Sequence, residues 1–318
     1  MDLAVVPSPR GAPVAPAGLV TTLQGLAMGT TWTVKLAGLC PQPAAVQAAV
    51  DERLNSLVAQ MSHWEPESQI TRFNRAAAGE RMAIGEDFRV VMASALDIAR
   101  RTDGAFDPAL GHAADQWGFG PRLGGAEAAS PFGWRDLAFD GDSLVQPGGV
   151  ALDLSGIAKG YAVDAVAALL AQRGFASFLV EIGGEMFGCG LKPDGQPWWA
   201  QVEPPGQPMT ARIFVALPGW GLASSGDYRR FHTVGERRLS HTLDPATLAP
   251  VESRIASVSV LAADAMIADA WATALTVLGE ERGLAAAEQE DLAALFLLRD
   301  ADGAVTPAAS AAWQALWA

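Results

Sequence analysis

The 318-residue sequence predicts an α+β fold: a single compact catalytic domain with mixed sheets flanked by helices. Three observations predict it. Two long stretches carry apolar residues at the spacing of a buried helix face. Short segments rich in Val, Ile, Leu and Thr fall between the helical stretches. Strands and helices interleave without a regular βαβ repeat, an internal repeat or a long linker, which favours α+β layers over a doubly wound sheet.

The elements follow in order. Residues 1–20, rich in Pro, Ala and Gly, read as a flexible lead-in, leaving 21–318 as the folded domain. The stretch TTLQGLAMGTTWTVKLAG predicts two strands around a Met28-Gly29 turn. From Pro43 to Met61, the apolar residues Val46, Val50, Leu54, Leu57 and Met61 mark one helix face. A second helix is expected over Glu86–Arg101, with Phe88, Val91, Met92, Ala95 and Ile98 inward. The Gly-rich segment from Asp103 to Gly125 reads as irregular loop. A long helix is expected over Ile157–Arg173, closed by Gly174. Strands follow at Ser177–Ile182, Trp198–Val202, Ile213–Leu217 and Ala256–Leu261, a helix at Ala265–Leu278, and a buried strand at Leu292–Leu298.

Composition narrows the function. Half the residues are hydrophobic and 18% are charged, as in a soluble protein with a large core. The formal net charge of −13 argues against nucleic acid or an anionic membrane as partner. An anionic ligand would need backbone N–H groups, a few basic residues or a bound cation. Cys40 and Cys189 are far apart and form no Cys-x-x-Cys pair, so they read as ordinary thiols, with one disulfide left open. The N-terminal residues lack a basic region followed by an apolar run, and no early Cys could carry a lipid. No segment reaches membrane-spanning length. The expected compartment is the cytoplasm for the chain as it stands, or the periplasm if the native start differs.

Seven polar or Gly-rich clusters sit at the ends of these elements, where loops carry function. Met28-Gly29-Thr30-Thr31 alone reads as a turn. Trp64, after Ser62-His63, could stack on a planar ring or cover the core. Thr102–Pro108 and Trp117–Pro121 place aromatics between glycines, and Asp107 is held extended by the following proline. Asp153–Tyr161 lies at a strand-to-helix junction, where helix N–H groups and Lys159 suit a phosphate, or where Asp and Ser simply cap the helix. Glu181–Glu185 flanks two glycines with carboxylates and would let a ligand approach the backbone. Ser224-Ser225-Gly226-Asp227-Tyr228 precedes Ser240–Pro245, in which His241 near Asp244 is the best candidate base. Asp269 and Thr273 share one helix face and offer hard oxygens to a small cation, or cap the helix.

In this order and spacing the clusters resemble the ApbE family, the FAD:protein FMN transferases. The segments that carry the resemblance are TDGAFDPALGHAADQWGFGP, DLSGIAKGYAVD, VEIGGE, SSGDYRRF, SHTLDP and ADAWATAL, and it spans Met28 to Arg299. The resemblance implies flavin and adenine contacts at Met28, Trp64, Ala105, Phe106, Asp107, Asp153, Lys159 and Leu243. It implies Mg2+ at Asp269, Thr273 and the backbone carbonyl of Gly156, with His241 and Asp269 as catalytic residues. Trp64 stands where many members carry Tyr, a change that keeps stacking. Many members also resemble exported lipoproteins, and this sequence shows no such signal.

The implied reaction splits the pyrophosphate of FAD. A Ser or Thr hydroxyl of an acceptor flavoprotein, within a short flavinylation motif, attacks the FMN-side phosphorus, His241 assists with the proton, and AMP leaves. Two alternatives share these residues: a metal-dependent FAD pyrophosphatase and a non-catalytic FAD-binding protein. A serine hydrolase using Ser224 or Ser225 is disfavoured because Gly-x-Ser-x-Gly is absent.

Overall fold

A single antiparallel sheet of eight strands organises the described residues. The structure is a computed structural model and describes residues 2–121, 132–203, 205, 212–227, 231–234, 237–300 and 302–317, with only the backbone at 231–234 and 237–239. The strand order is Val305–Ala309, Ala293–Arg299, Ile255–Ala262, Trp220–Gly226, Glu185–Cys189, Phe178–Ile182, Thr30–Ala37 and Val20–Ala27. The helices are α1 (Pro43–Met61), α2 (Gln69–Arg75), α3 (Glu86–Arg101), α4 (Gly111–Gln116), α5 (Ala158–Gln172), α6 (Ala265–Gln289) and α7 (Ala311–Gln314). None of the described helices is long and apolar enough to cross a membrane.

The central strands are buried on both faces, so their residues alternate between two cores. Ala294, Phe296 and Leu298 face the core shared with α1, α3, α5 and α6. Ala293, Leu295 and Leu297 face a second core with Trp198, Val215 and Trp313. Strand Ile255–Ala262 is buried at all eight positions. Burial on both faces explains why Ala293–Arg299 reads as a continuous apolar run rather than an alternating one, and why Ser257 and Ser259 are buried along with the Val residues of Ile255–Ala262. A three-stranded mixed sheet lies over the second core: Leu3–Val5 runs parallel to Ile213–Ala216, which runs antiparallel to Trp199–Val202.

Several expectations hold closely. Residues Ala27 and Thr30 pair across the Met28-Gly29 turn, whose two positive φ angles, 53° and 72°, suit a tight hairpin. Helices α1 and α3 have the expected bounds, with the expected inward residues buried. Both cysteines are free thiols.

Three expectations are corrected. Leu3–Val5 is a strand with Val5 fully buried, where a flexible lead-in was expected; the apolar run Leu3–Val6 is short and stops at Pro7, and the distant partner Ile213–Ala216 makes it a strand. The expected irregular stretch contains α4, whose Ala-rich turn is buried against Leu243; residues 122–131 of that stretch lie outside the described residues. The helix expected to end at Leu278 runs on to Gln289 after a break at Gly279 (φ 79°, ψ 179°).

The pairing of α5 with α6 matters most for the site. Neither helix caps its own N-terminus with a side chain. Each is capped by the other instead. Asp164 of α5 accepts the Ala265 and Met266 N–H groups at 2.9 and 2.8 Å, and Asp269 Oδ2 of α6 accepts the Gly160 N–H at 3.0 Å. These are donors that a helix start leaves unpaired. The approach is close enough that a Cβ added at Gly160 would lie 2.3 Å from the Ala265 carbonyl oxygen.

Candidate active site

The N-terminal ends of α5 and α6 open into a cavity of about 730 Å³. Its wall is assembled from five loops and strand ends. The loop after α3 supplies Ala105, Phe106 and Asp107; the approach to α5 supplies Asp153, Gly156 and Lys159; the Gly183-Gly184 turn leads to Glu185. His241 and Leu243 come from the chain after Ser240, and Asp269 and Thr273 from α6. The structure thus brings together ten of the twelve residues named from the sequence. Of the other two, Met28 sits in the hairpin turn beside Gly29 and Thr30, which do line the cavity. Trp64 lines an adjoining cavity of about 250 Å³ that shares Asp153 and Ala114 with the main one. Trp64 is 57% exposed, and its ring is tilted against His63 with centroids 5.7 Å apart. His63 Nδ1 lies 3.5 Å from Asp153 Oδ1.

Local chemistry fixes each side chain. Asp107 is held between loops: Oδ1 accepts the Ala109 N–H at 2.8 Å and Oδ2 the Trp134 N–H at 3.2 Å. Burial nonetheless pushes its carboxyl above the usual range. Asp153 Oδ1 accepts the Ser155 N–H at 2.8 Å, turning the chain into α5. Lys159 Nζ lies 2.5 Å from Glu185 Oε1. Burial raises the carboxyl pKa of both Glu185 and Asp269, and the Lys159 ammonium opposes it in each. His241 packs edge-on against Phe119, centroids 6.4 Å apart. Asp244, the expected neighbour of His241, instead accepts the Ala246 N–H and lines a third cavity. Ser224 and Ser225 line the main cavity, with Ser224 Oγ hydrogen-bonded to Ser259 Oγ at 2.7 Å. Tyr228 lies outside the described residues.

The Gly156 backbone passes close to Thr273: a Cβ added there would lie 3.0 Å from Thr273 Oγ1. With the Asp269 carboxylate one turn earlier on α6, a carboxylate, a hydroxyl and the Gly156 backbone lie on one side of the cavity, and their oxygens are of the hard kind that magnesium takes. No group of three or more His, Cys, Asp or Glu residues of metal-binding arrangement occurs among the described residues. A cation here would therefore draw its remaining ligands from water or substrate, as magnesium commonly does. The residues present fit.

Sequence reasoning did not single out Gln201 and Glu203, which also line the cavity. Strand Trp199–Val202 alternates exposed and buried positions, so both looked like solvent-facing residues. Their shared face with Trp199 was the available signal. It could not say what that face overlooks.

These features define a class: an α+β protein in which a lysine, two helix starts, buried carboxylates and an imidazole line one cavity. Comparison with known proteins agrees. The ApbE family profile matches residues 28–296. The FAD:protein FMN transferase of Vibrio cholerae is 35% identical over 299 residues, 88% of each chain. That of Escherichia coli K12 is 31% identical over 300 residues, 89% of this chain and 85% of the other. The apo crystal structure of the Pseudomonas stutzeri flavinyl transferase ApbE superposes with a TM-score of 0.85 at 37% identity, covering 94% of this chain and 96% of that one. The chain belongs to the ApbE family.

Proposed function

We propose that this chain is an FAD:protein FMN transferase that uses magnesium, moves FMN from FAD to a Ser or Thr hydroxyl of an acceptor protein, and releases AMP. The observation that carries this reading is the convergence of Lys159, His241, Asp269 and Thr273 on one cavity, between the loops of Asp107 and Asp153. The relatives aligned over most of this chain are named FAD:protein FMN transferases, which supports the transfer itself.

Each group has a task. Lys159, in the first turn of α5, brings positive charge to the pyrophosphate, reinforced by the dipole of the helix start. Magnesium, when bound by Asp269, Thr273 and the Gly156 carbonyl, neutralises phosphate oxygens and stabilises the AMP leaving group. The acceptor oxygen forms a bond to the FMN-side phosphorus as the bond from that phosphorus to the bridging oxygen breaks. His241 takes the hydroxyl proton, and AMP departs with the bridging oxygen. Trp64 and Phe106 offer ring faces or edges to the flavin and adenine, which positions the reacting phosphorus.

The test is mass spectrometry after incubation with FAD, magnesium and an acceptor flavoprotein domain. The expected result is an acceptor heavier by one FMN unit, with one AMP released per adduct. Free FMN and AMP with an unmodified acceptor would assign water as the acceptor and a pyrophosphatase; intact FAD would reject catalysis.

A further inference from the structure

Glu185 stands just beyond the Gly183-Gly184 turn, on the wall of the cavity, and is 2% exposed. One carboxylate oxygen, Oε1, faces Lys159 Nζ at 2.5 Å. The other, Oε2, is enclosed and has no hydrogen-bond partner among the described residues. A carboxylate oxygen that has lost water without gaining a donor is costly, more so than a neutral group. The turn beside it brings no side chain to repair this. Gly183 and Gly184 both adopt positive φ, and a Cβ added at Gly183 would lie 3.5 Å from Oε2 and 2.9 Å from Thr30 Cγ2. A backbone turn thus flanks the unpaired oxygen, and the close approach of Thr30 keeps a side chain out of the Gly183 position.

Resting on the proposed transfer from FAD, we infer that Glu185 Oε2 accepts a hydrogen bond from a ligand hydroxyl, and that Glu185 is a binding residue of this site. The chemistry selects the donor. Phosphate oxygens are anionic acceptors and would be repelled. Flavin and adenine rings offer N–H groups, but a side chain set beside the phosphate-facing Lys159 meets the sugar and polyol hydroxyls next to the pyrophosphate. The attacking hydroxyl of the acceptor reaches the same phosphorus. A hydroxyl of FAD and the hydroxyl of the acceptor are therefore the two sources, and the experiment separates them.

The variant is Glu185→Gln. Lysine only donates, so the amide must turn its oxygen to Lys159 and place its NH2 group where Oε2 stood. The contact with Lys159 and the side-chain shape persist, while an acceptor becomes a donor. FAD affinity would be read from flavin fluorescence, in chelator and in saturating magnesium, and FMN transfer from single turnovers at saturating FAD. A loss of about tenfold to a hundredfold is expected in one of the two. Weakened FAD binding assigns the hydroxyl to FAD; normal FAD binding with slowed transfer assigns it to the acceptor. Unchanged affinity together with unchanged transfer overturns the inference, as does a loss that vanishes at saturating magnesium, since the oxygen would then serve a cation. If the Gln variant does not fold, Glu185→Ala must show the same loss. Wild-type protein that binds FAD but transfers no FMN would reject the proposed function alone; normal FAD affinity in the variant would then overturn this inference separately.

Discussion

Asp269 Oδ2 is oriented by the Gly160 N–H at 3.0 Å, so this carboxylate holds its direction without help from a bound ion. That gives two substitutions different expected outcomes. Asp269→Asn keeps an oxygen for Gly160 and loses the charge; it should fold normally and need more magnesium for half-maximal transfer. Asp269→Ala loses both and should reduce transfer by about a hundredfold or more, as removal of a preorganised charge-stabilising group commonly does. A magnesium titration of transfer checks both, and full activity of the Ala variant at ordinary magnesium would reject the metal assignment. At this scale the sequence was informative wherever residue type restricts chemistry: Lys159, His241 and Asp269 stand out in their motifs, and all three line the cavity. Glu185 was visible only as a flank of two glycines, because its buried pairing with Lys159 joins positions from two separate elements.

At the scale of elements, α5 and α6 form a reciprocal brace. Asp164 caps α6, and Asp269 of α6 caps α5, so the placement of Thr273 and Gly156 depends on both. Asp164→Ala should lower the melting temperature and raise the magnesium needed for half-maximal transfer. Asp164→Asn should recover part of each, because its amide oxygen can still accept one N–H. Equal magnesium requirements in wild type and the Ala variant would show that the brace does not reach the site. A second carboxylate joins α1, α3 and α5. Asp87 accepts from Arg53 at 2.8 and 2.5 Å, from Gln60 at 2.9 Å and from Tyr161 Oη at 2.6 Å. Led by the bond from Arg53, these partners hold its carboxyl at about 2, below the ordinary 3.8. A depressed folded value stabilises the protein above the unfolded value. The contribution should therefore be complete above about pH 4 and fade as pH falls towards 2. Asp87→Asn should cost about 2 kcal/mol near neutral pH, and the gap from wild type in urea denaturation should close over that acidic window. A gap that stays constant with pH would exclude the ion pair as its source.

Across the whole molecule, the sheet separates two cores with different duties. One supports the helices that reach the cavity, while the other is closed by the three-stranded sheet and α7. Leu3–Val5 belongs to the second core and is separated from the strand bearing Gln201 by Ile213–Ala216. Deleting residues 2–6 removes a fully buried Val5 and three backbone pairings, so the melting temperature should drop by roughly 5 °C while FAD affinity is unchanged. A fall in FAD affinity with no change in melting temperature would reverse that division of labour. By itself, the sequence determined the long helices and the strands with the clearest apolar runs, because periodicity and turn glycines act locally: α1, α3 and the Met28-Gly29 hairpin follow from neighbours within a few residues, whereas the short α2, α4 and α7 and the central strand Trp220–Gly226 carry no such signal. It also singled out ten residues that the fold brings to one cavity. Tertiary structure alone decided the strand order, the pairing of Leu3–Val5 with a segment some two hundred residues away, and the separation of Trp64 into an adjoining cavity. It alone placed Glu185 beside Lys159 and Asp164 at the start of α6. Those outcomes depend on contacts between distant segments, whose energies come from burial and complementary charge in the assembled core, and no local pattern encodes which distant partner will supply them.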